Sequence, residues 1–321
     1  MIKIRSMSHS EIMQSLAEKH LLLLELIDRQ PIHYVDIPVH GNIGDLLIMH
    51  GTQAFFRKHG LTPKLSMPAF AYNPGWIAPG DVIVFHGGGN FGDLYSEYGM
   101  QPLREQVVAG YPENRIIVLP QTIYFSTPEK MRRSASLFRQ HPDVHICVRD
   151  VDSYETALAF SDHVYLMPDM AHQLYPVDME PSPGPGGNLL ISRMDGEKKT
   201  AHDPAEFGAL TVTDWPQLVG MREKGIEGFR RVMKVLHRHG PDLLGNRIMS
   251  DLWSRYANML TDSAIRLFSA HELIITDRLH GHILACLMDK PSIVLDNSYG
   301  KNSGYVDTWT LDSELVSLKH V

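Results

Sequence analysis

Cysteine is nearly absent: Cys147 and Cys286 are the only two in 321 residues, each inside an apolar stretch. Such a pair builds no disulfide framework, and both read as buried thiols of a reducing compartment. Histidine is plentiful at 18, yet the chain has no HExxH and no pair of Cys-x-x-Cys motifs, so no metal site is expected. A Walker phosphate loop is missing too, since GxxxxGK[ST] does not occur. No uninterrupted apolar run approaches the roughly 20 residues that span a bilayer. The opening "MIKIRSMSHSEIMQSLAEKHLLLLELIDRQ" breaks its apolar runs with Glu, Lys and His, which is unlike a secretory signal. A cytoplasmic protein is expected. Positive charge is not in excess: 30 Lys and Arg face 37 Asp and Glu, a net charge of -7 with a pI near 6.2. That balance argues against a general binder of nucleic acid or anionic lipid.

What is present describes an ordinary globular chain, 43% hydrophobic and 21% charged, long enough for two domains. Leu16, Leu22, Leu23, Leu26 and Ile27 can share one face of a first helix, expected to pack on the first domain. Strand-like and helix-like stretches then alternate. "IHYVDIPV" leads to a helical pattern over 46–59, "DVIVF" to 101–108, "RIIVLP" to 128–140 and "VHICV" to 152–160. Short Val and Ile runs between helical patterns signal a buried parallel sheet, hence a doubly wound α/β domain. "YPVDMEPSPGPGGN" interrupts the series with four prolines and three glycines and reads as a linker. A second series follows, with "NLLIS", "ALTVTDW", helical patterns over 217–239 and 247–269, "HELIITD", a helix over 282–288 and "PSIVLD". The division is a domain over 1–175, a linker over 176–187 and a domain over 188–321. Ligands of open α/β sheets bind outside the carboxyl ends of the strands, so the site belongs in the cleft between the two halves.

Two glycine loops stand at such strand ends: "HGNIGD", with Gly41, Asn42, Gly44 and Asp45, and "HGGGNFGD", with His86, Gly87, Gly88, Gly89 and Asn90. Each is expected to lead from a strand into a helix, presenting backbone N–H groups to a ligand. Asp45 and Asp93 could cap those helices or accept protons from sugar hydroxyls. Gly87, Gly89 and Gly92 satisfy G-x-G-x-x-G, but the next strand ends in Pro120 and Gln121 where a dinucleotide fold carries an acid for the ribose.

Cations gather at strand ends as well: Arg149 after "VHICV", Arg193 after "NLLIS", Arg278 after "LIITD", and Lys301 beyond "SIVLD". Arginine grips phosphate and carboxylate with two parallel donors, so a cleft lined this way suits a small, strongly anionic ligand. His280, beside Arg278, is the best general acid–base candidate.

Together "GNIGDLLI", "VIVFHGGGNFGD", "ICVRDVDSYE", "DRLHGHILACLMDKPSIVLD" and a closing "YGK" resemble the polysaccharide pyruvyltransferase family, over roughly Tyr34 to Lys301. The resemblance implies a glycosyltransferase-B-like fold of two Rossmann-like domains. It implies transfer of a pyruvyl group from phosphoenolpyruvate to a sugar as a cyclic ketal, in bacterial exopolysaccharide or cell-wall polymer synthesis, without a cofactor or metal. Arg278-Leu279-His280 is similar to the family's donor-binding and catalytic element, Arg149 with Ser153 to its R-[DE]-x-x-S segment, and Lys301 to its late lysine. Arg193 corresponds less closely, and many members carry a small residue where this chain has His282.

Two other functions fit the same two-domain reading. One is a glycosyltransferase using a sugar nucleotide, with Asp277 or Asp296 clamping the ribose; the other is a non-catalytic glycan- or anion-binding protein, which gives His280 no task. The acceptor is a glycan or a lipid-linked oligosaccharide, and the latter would hold the enzyme at the inner membrane face. Trp76, Trp215, Trp253 and Trp309 can each stack on a sugar or fill a core. Self-association is left open by the sequence.

Overall fold

The computed structural model describes residues 7–95, 99–178, 186–193, 203–238, 243–296 and 301–319, with backbone alone at 210, 238, 243 and 301. The chain is mixed α/β and contains two parallel sheets. The first half runs α1 (His9–Lys19), α2 (Leu22–Ile27), β1 (Ile32–Val35), α3 (Ile43–Lys58), β2 (Pro63–Met67), β3 (Val82–Phe85), β4 (Gly88–Gly92), α4 (Met100–Gly110), β5 (Ile116–Tyr124), α5 (Pro128–Phe138), β6 (Val144–Val148), α6 (Val151–Ala157) and β7 (His163–Leu166). The second half runs β8 (Asn188–Ile191), β9 (Ala209–Thr213), α7 (Trp215–Val219), α8 (Glu223–Arg238), α9 (Leu243–Ser269), β10 (Leu273–Thr276), α10 (Leu279–Leu287), β11 (Ser292–Leu295), α11 (Lys301–Trp309) and β12 (Val316–Lys319).

The first sheet is ordered β2-β1-β3-β5-β6-β7, with β4 also pairing β5; the second is ordered β12-β11-β10-β8-β9. In each, the first strand of the series lies inside and the chain then builds outward in both directions. The order therefore reverses between β1 and β3, and again between β8 and β10. Those reversals open a crevice at the carboxyl edge, the usual ligand position in such sheets. Register brings the strand ends level: Val35 pairs Phe85, and Val148 pairs both Gln121 and Leu166. In the second sheet Thr276 pairs Ile191 and Val294, and Ile191 pairs Thr213.

Central strands such as β3 and β6 are buried along their whole length, as their mostly apolar sequences require when both faces are covered. Helix starts follow local capping chemistry. The Asn42 side chain accepts from the Gly44 N–H at 3.1 Å to open α3, and Asp150 accepts from the Ser153 N–H at 2.8 Å to open α6. Among the described residues, neither Asp45 nor Asp93 caps a helix: Asn42 caps α3 and Gly99 precedes α4.

Three expectations need correction. The stretch expected as one N-terminal helix is two, α1 and α2, parted at His20–Leu21. Their apolar faces diverge: Leu23, Leu26 and Ile27 join the main core, whereas Ile12, Met13 and Leu16 pack with Cys286, Val294, Val306 and Val316 of the second half. His9 fastens α1 there, its ring bonding Ser313 Oγ at 2.6 Å and the Cys286 carbonyl at 2.9 Å. The second glycine loop does not turn into a helix, because Gly88–Gly92 forms β4 along β5. The helical pattern over 217–239 is interrupted at 220–222, giving α7 and α8.

Candidate functional site

The halves meet along α3, which packs against both α9 and α10. Trp253 of α9 donates its indole N–H to the Pro38 carbonyl at 2.9 Å, and Gln53 bonds Ser254 Oγ at 2.7 Å. Two glycines permit this approach. Gly51 lets α3 press onto the backbone of Met170, and Gly44 lies against the imidazole of His280, where a Cβ would stand 2.6 Å from Nδ1. The α3 N-terminus of the first switch point and the α10 N-terminus of the second are thus in contact.

At the centre lies Asp169, just beyond β7, fully buried. Its Oδ2 accepts from Arg149 Nη1 at 2.6 Å and from His280 Nε2 at 3.2 Å, while Oδ1 accepts from the Ala171 N–H at 2.9 Å. Burial opposes charge on this carboxyl, but the nearby His280 and Arg149 outweigh it and hold the pKa well below the usual carboxylate range. The Asp169 N–H donates to the Tyr305 hydroxyl at 3.1 Å, which also bonds His172 Nε2 at 2.8 Å. Burial pulls His172 down to about 3, so this ring is neutral at physiological pH.

Arg149 is further fixed through Nε to Thr122 Oγ1 at 3.0 Å, and its Nη2 faces Gly89, 3.5 Å from where a Cβ would be. Arg278 opens α10 and is also buried. Its guanidinium grips Asp214 in two places, Nε to Oδ1 and Nη2 to Oδ2, the latter at 2.7 Å. Both arginines therefore carry a carboxylate partner. The Arg193 N–H donates to Asp277 Oδ1 at 2.8 Å, placing that residue at the second switch point. Lys301 begins α11, and its side chain lies outside the described residues.

The first switch point gathers the glycine loops. Gly88 lies against Asp45, whose Oδ2 is 3.7 Å from His40 Nε2. Gly87 packs on Pro120, and Gly41 faces Val219 and Glu223 of the second half. His86 bonds the Tyr34 hydroxyl through Nδ1 at 2.6 Å; its Nε2 is buried and unpartnered among the described residues. Burial brings its pKa to about 4, against the raising influence of Asp45 and Asp169. Asn90, expected to face a ligand, is half-buried and takes part in a polar network. It bonds Asp36 Oδ2 at 2.9 Å, Arg104 Nη2 at 2.6 Å and Gln121 Nε2 at 2.8 Å. Asp36 holds a positive φ of 70° there, and burial lifts its pKa to about 6 despite Arg104.

Ser153, expected near the donor, is buried in the α6 cap, where its hydroxyl accepts from the Ile123 N–H at 2.8 Å. His282 is fully buried between Ser292 Oγ at 3.1 Å and Thr310 Oγ1 at 2.8 Å. Trp215 and Trp253 fill cores, and Trp309 donates to the Arg149 carbonyl at 2.8 Å.

Sequence reasoning missed Asp169 and Asp214. The usable signal was positional, since each directly follows or closely trails a strand end on the same sheet edge as the arginines. Looking there for cations alone passes over their counter-charges.

Parallel sheets with facing switch points, and an Arg–Asp–His cluster joining them, define the class: a two-sheet α/β protein whose strand ends meet through Arg149, Asp169 and His280. The chain belongs to the polysaccharide pyruvyl transferase family, whose model matches residues 42–299. It is 39% identical to "Putative pyruvyl transferase EpsO" of Bacillus subtilis over 94% of this chain and 93% of that protein. It is 30% identical to "Pyruvyl transferase 1" of Schizosaccharomyces pombe over 75% of this chain and 58% of that protein. A crystal structure of a functionally uncharacterized protein, KP1_0663, from Klebsiella pneumoniae shares the fold at a TM-score of 0.62. It has 20% identity and covers 95% of this chain and 98% of that one. Among the described residues no helix is long and apolar enough to cross a membrane.

Proposed function

We propose that this transferase moves a pyruvyl group from phosphoenolpyruvate to two hydroxyls of one sugar, forming a cyclic ketal on a bacterial exopolysaccharide or its precursor. The observation that carries the reading is the meeting of His280 and Arg149, from different halves, on one oxygen of Asp169. We read the two facing sheets as a glycosyltransferase-B-like pair of domains, 1–175 and 188–321, joined through 176–187.

In this reading Arg149, through the Nη2 that faces Gly89, and Arg278 hold the donor's phosphate and carboxylate, with Arg193 and Lys301 adding charge at the edge. A proton added to the methylene carbon makes C2 electrophilic. One sugar hydroxyl bonds to C2, the C2–O bond to phosphate breaks, and a second hydroxyl closes the ketal. Of the two hydroxyl protons, one balances the new methyl C–H bond and the other leaves with phosphate. His280 handles a proton in this sequence, oriented by Asp169 on one side and Gly44 on the other. Such assistance is typically worth about 10²–10⁴-fold. Arginines supply the countercharge, and no cofactor is needed.

The test is phosphate release from phosphoenolpyruvate against a panel of oligosaccharides, read by mass spectrometry for the added pyruvyl unit. Acceptor-dependent phosphate with a pyruvylated product supports the proposal. Turnover of a UDP-sugar instead, with release of UDP, would replace it with glycosyl transfer.

A further inference from the structure

Fourteen large hydrophobic side chains are exposed among the described residues, and seven of them fall between residues 221 and 259: Met221, Val232, Val235, Leu244, Ile248, Leu252 and Met259. On α9 the spacing is helical, with Leu244, Ile248, Leu252 and Met259 forming one stripe along the side away from the core residues Trp253, Ala257 and Leu260. The two helices run antiparallel, as Phe229 meets Trp253 with ring centroids 5.3 Å apart while Tyr256 reaches back to the Arg222 carbonyl at 2.7 Å. That register carries Val232 and Val235 of α8 alongside Ile248 and Leu252 of α9.

Charge distinguishes this face from the rest of the chain. α8 carries five basic against two acidic residues and α9 three against two, a net of +4 in a protein of net -7. Lys224, Arg231, Lys234, Arg247 and Arg255 are exposed among the apolar side chains. A helix pair with an apolar stripe, basic flanks and no capacity to span is suited to lying in the headgroup region of an anionic bilayer.

We propose that the outer face of α8 and α9 docks on an anionic phospholipid membrane. The face begins at the site's rim: Val219, which ends α7, and Glu223, which starts α8, lie against Gly41 of the first glycine loop. Docking there sets the crevice beside the bilayer, where an acceptor carried on a lipid would be presented. The surface is argued from exposure and charge and stands whether or not phosphoenolpyruvate is the donor.

The experiment is co-sedimentation of the full chain with vesicles of phosphatidylglycerol and phosphatidylcholine in equal parts, or of phosphatidylcholine alone. Binding to the anionic vesicles alone, weakening as salt is raised, is expected. The paired substitutions Ile248→Glu with Leu252→Glu, and Arg231→Glu with Arg255→Glu, should each weaken it about tenfold or more. Leu158→Glu, an equally exposed apolar position elsewhere, should not. Thermal melts and phosphate release with a water-soluble acceptor should be unchanged in the two paired face variants. No vesicle binding, or binding indifferent to both pairs, overturns the proposal. So does a dimer in sedimentation equilibrium that Ile248→Glu with Leu252→Glu dissociates, since the face would then belong to a second copy of the chain.

Discussion

Asp169 and His280, 111 residues apart, share a 3.2 Å hydrogen bond that joins the carboxyl edge of one sheet to that of the other. The same carboxylate oxygen takes Arg149 at 2.6 Å, so one buried charge fixes both a guanidinium and an imidazole. Asp169→Asn keeps the shape and removes the charge. Leaving the Arg149 guanidinium buried without its counter-charge should cost about 3–5 kcal/mol of stability. Among molecules that remain folded, kcat should fall about 10²-fold or more. Urea unfolding and steady-state kinetics read the two effects separately; wild-type kcat would mean that His280 does not depend on Asp169.

Gly44 supplies a steric probe of the same imidazole. In Gly44→Ala the added methyl would lie 2.6 Å from His280 Nδ1, forcing the ring to move. Alanine is otherwise favourable inside a helix, by about 0.5–1 kcal/mol over glycine. Turnover should drop about tenfold or more with little change in melting temperature. Gly228→Ala on α8, where nothing lies within 4 Å, should keep activity and gain slight stability.

His280 and His282 are two residues apart and should behave oppositely. Burial draws the His282 ring down to about 3, and its bonds to Ser292 and Thr310 tie α10 to the second sheet. His282→Ala should therefore lower the unfolding free energy in urea by about 2–5 kcal/mol, as for a vacated core position. Its kcat per folded molecule should stay within about threefold of wild type, since general acid–base loss is much larger.

Acid should unfold the protein early. Burial lowers His20, His50 and His86 to about 4 and His172 and His282 to about 3. In the unfolded chain each takes up a proton near pH 6.5. Groups with depressed folded values favour the native state above the unfolded pKa, and that contribution shrinks as pH falls toward the folded value. Asp36, raised to about 6, opposes this trend as a single group. Asp169, held low, adds acid lability only below about pH 4. Each histidine can contribute up to about 1.4 kcal/mol per pH unit. The urea midpoint should thus fall steeply between pH 6.5 and pH 5; a flat profile there would contradict the burial of neutral rings.

The alternation of strands and helices was legible because central parallel strands are predominantly apolar, as β3, β6 and β10 are. The edge strands β2 and β7 escaped for the converse reason. β2 begins with a proline and carries Lys64 and Ser66, and β7 exposes His163 and Leu166, so neither shows an apolar run. β4 is glycine-rich and owes its extended form to pairing with β5. His280 and Arg149 could be picked from residue type and strand-end position. Their partners could not, because Asp169 and Asp214 depend on how the sheet edges are brought together. The overall negative charge likewise hid the basic, apolar face of α8 and α9, which appears only when helical register sorts residues by side.

The central claim is that His280 carries a proton for a donor held by arginines, and calorimetry of phosphoenolpyruvate binding paired with acceptor-dependent phosphate release tests it most directly. In His280→Gln the donor should bind nearly as in the wild type while turnover falls about 10²-fold or more. Turnover within a few-fold of wild type, with donor binding intact, would contradict the assignment.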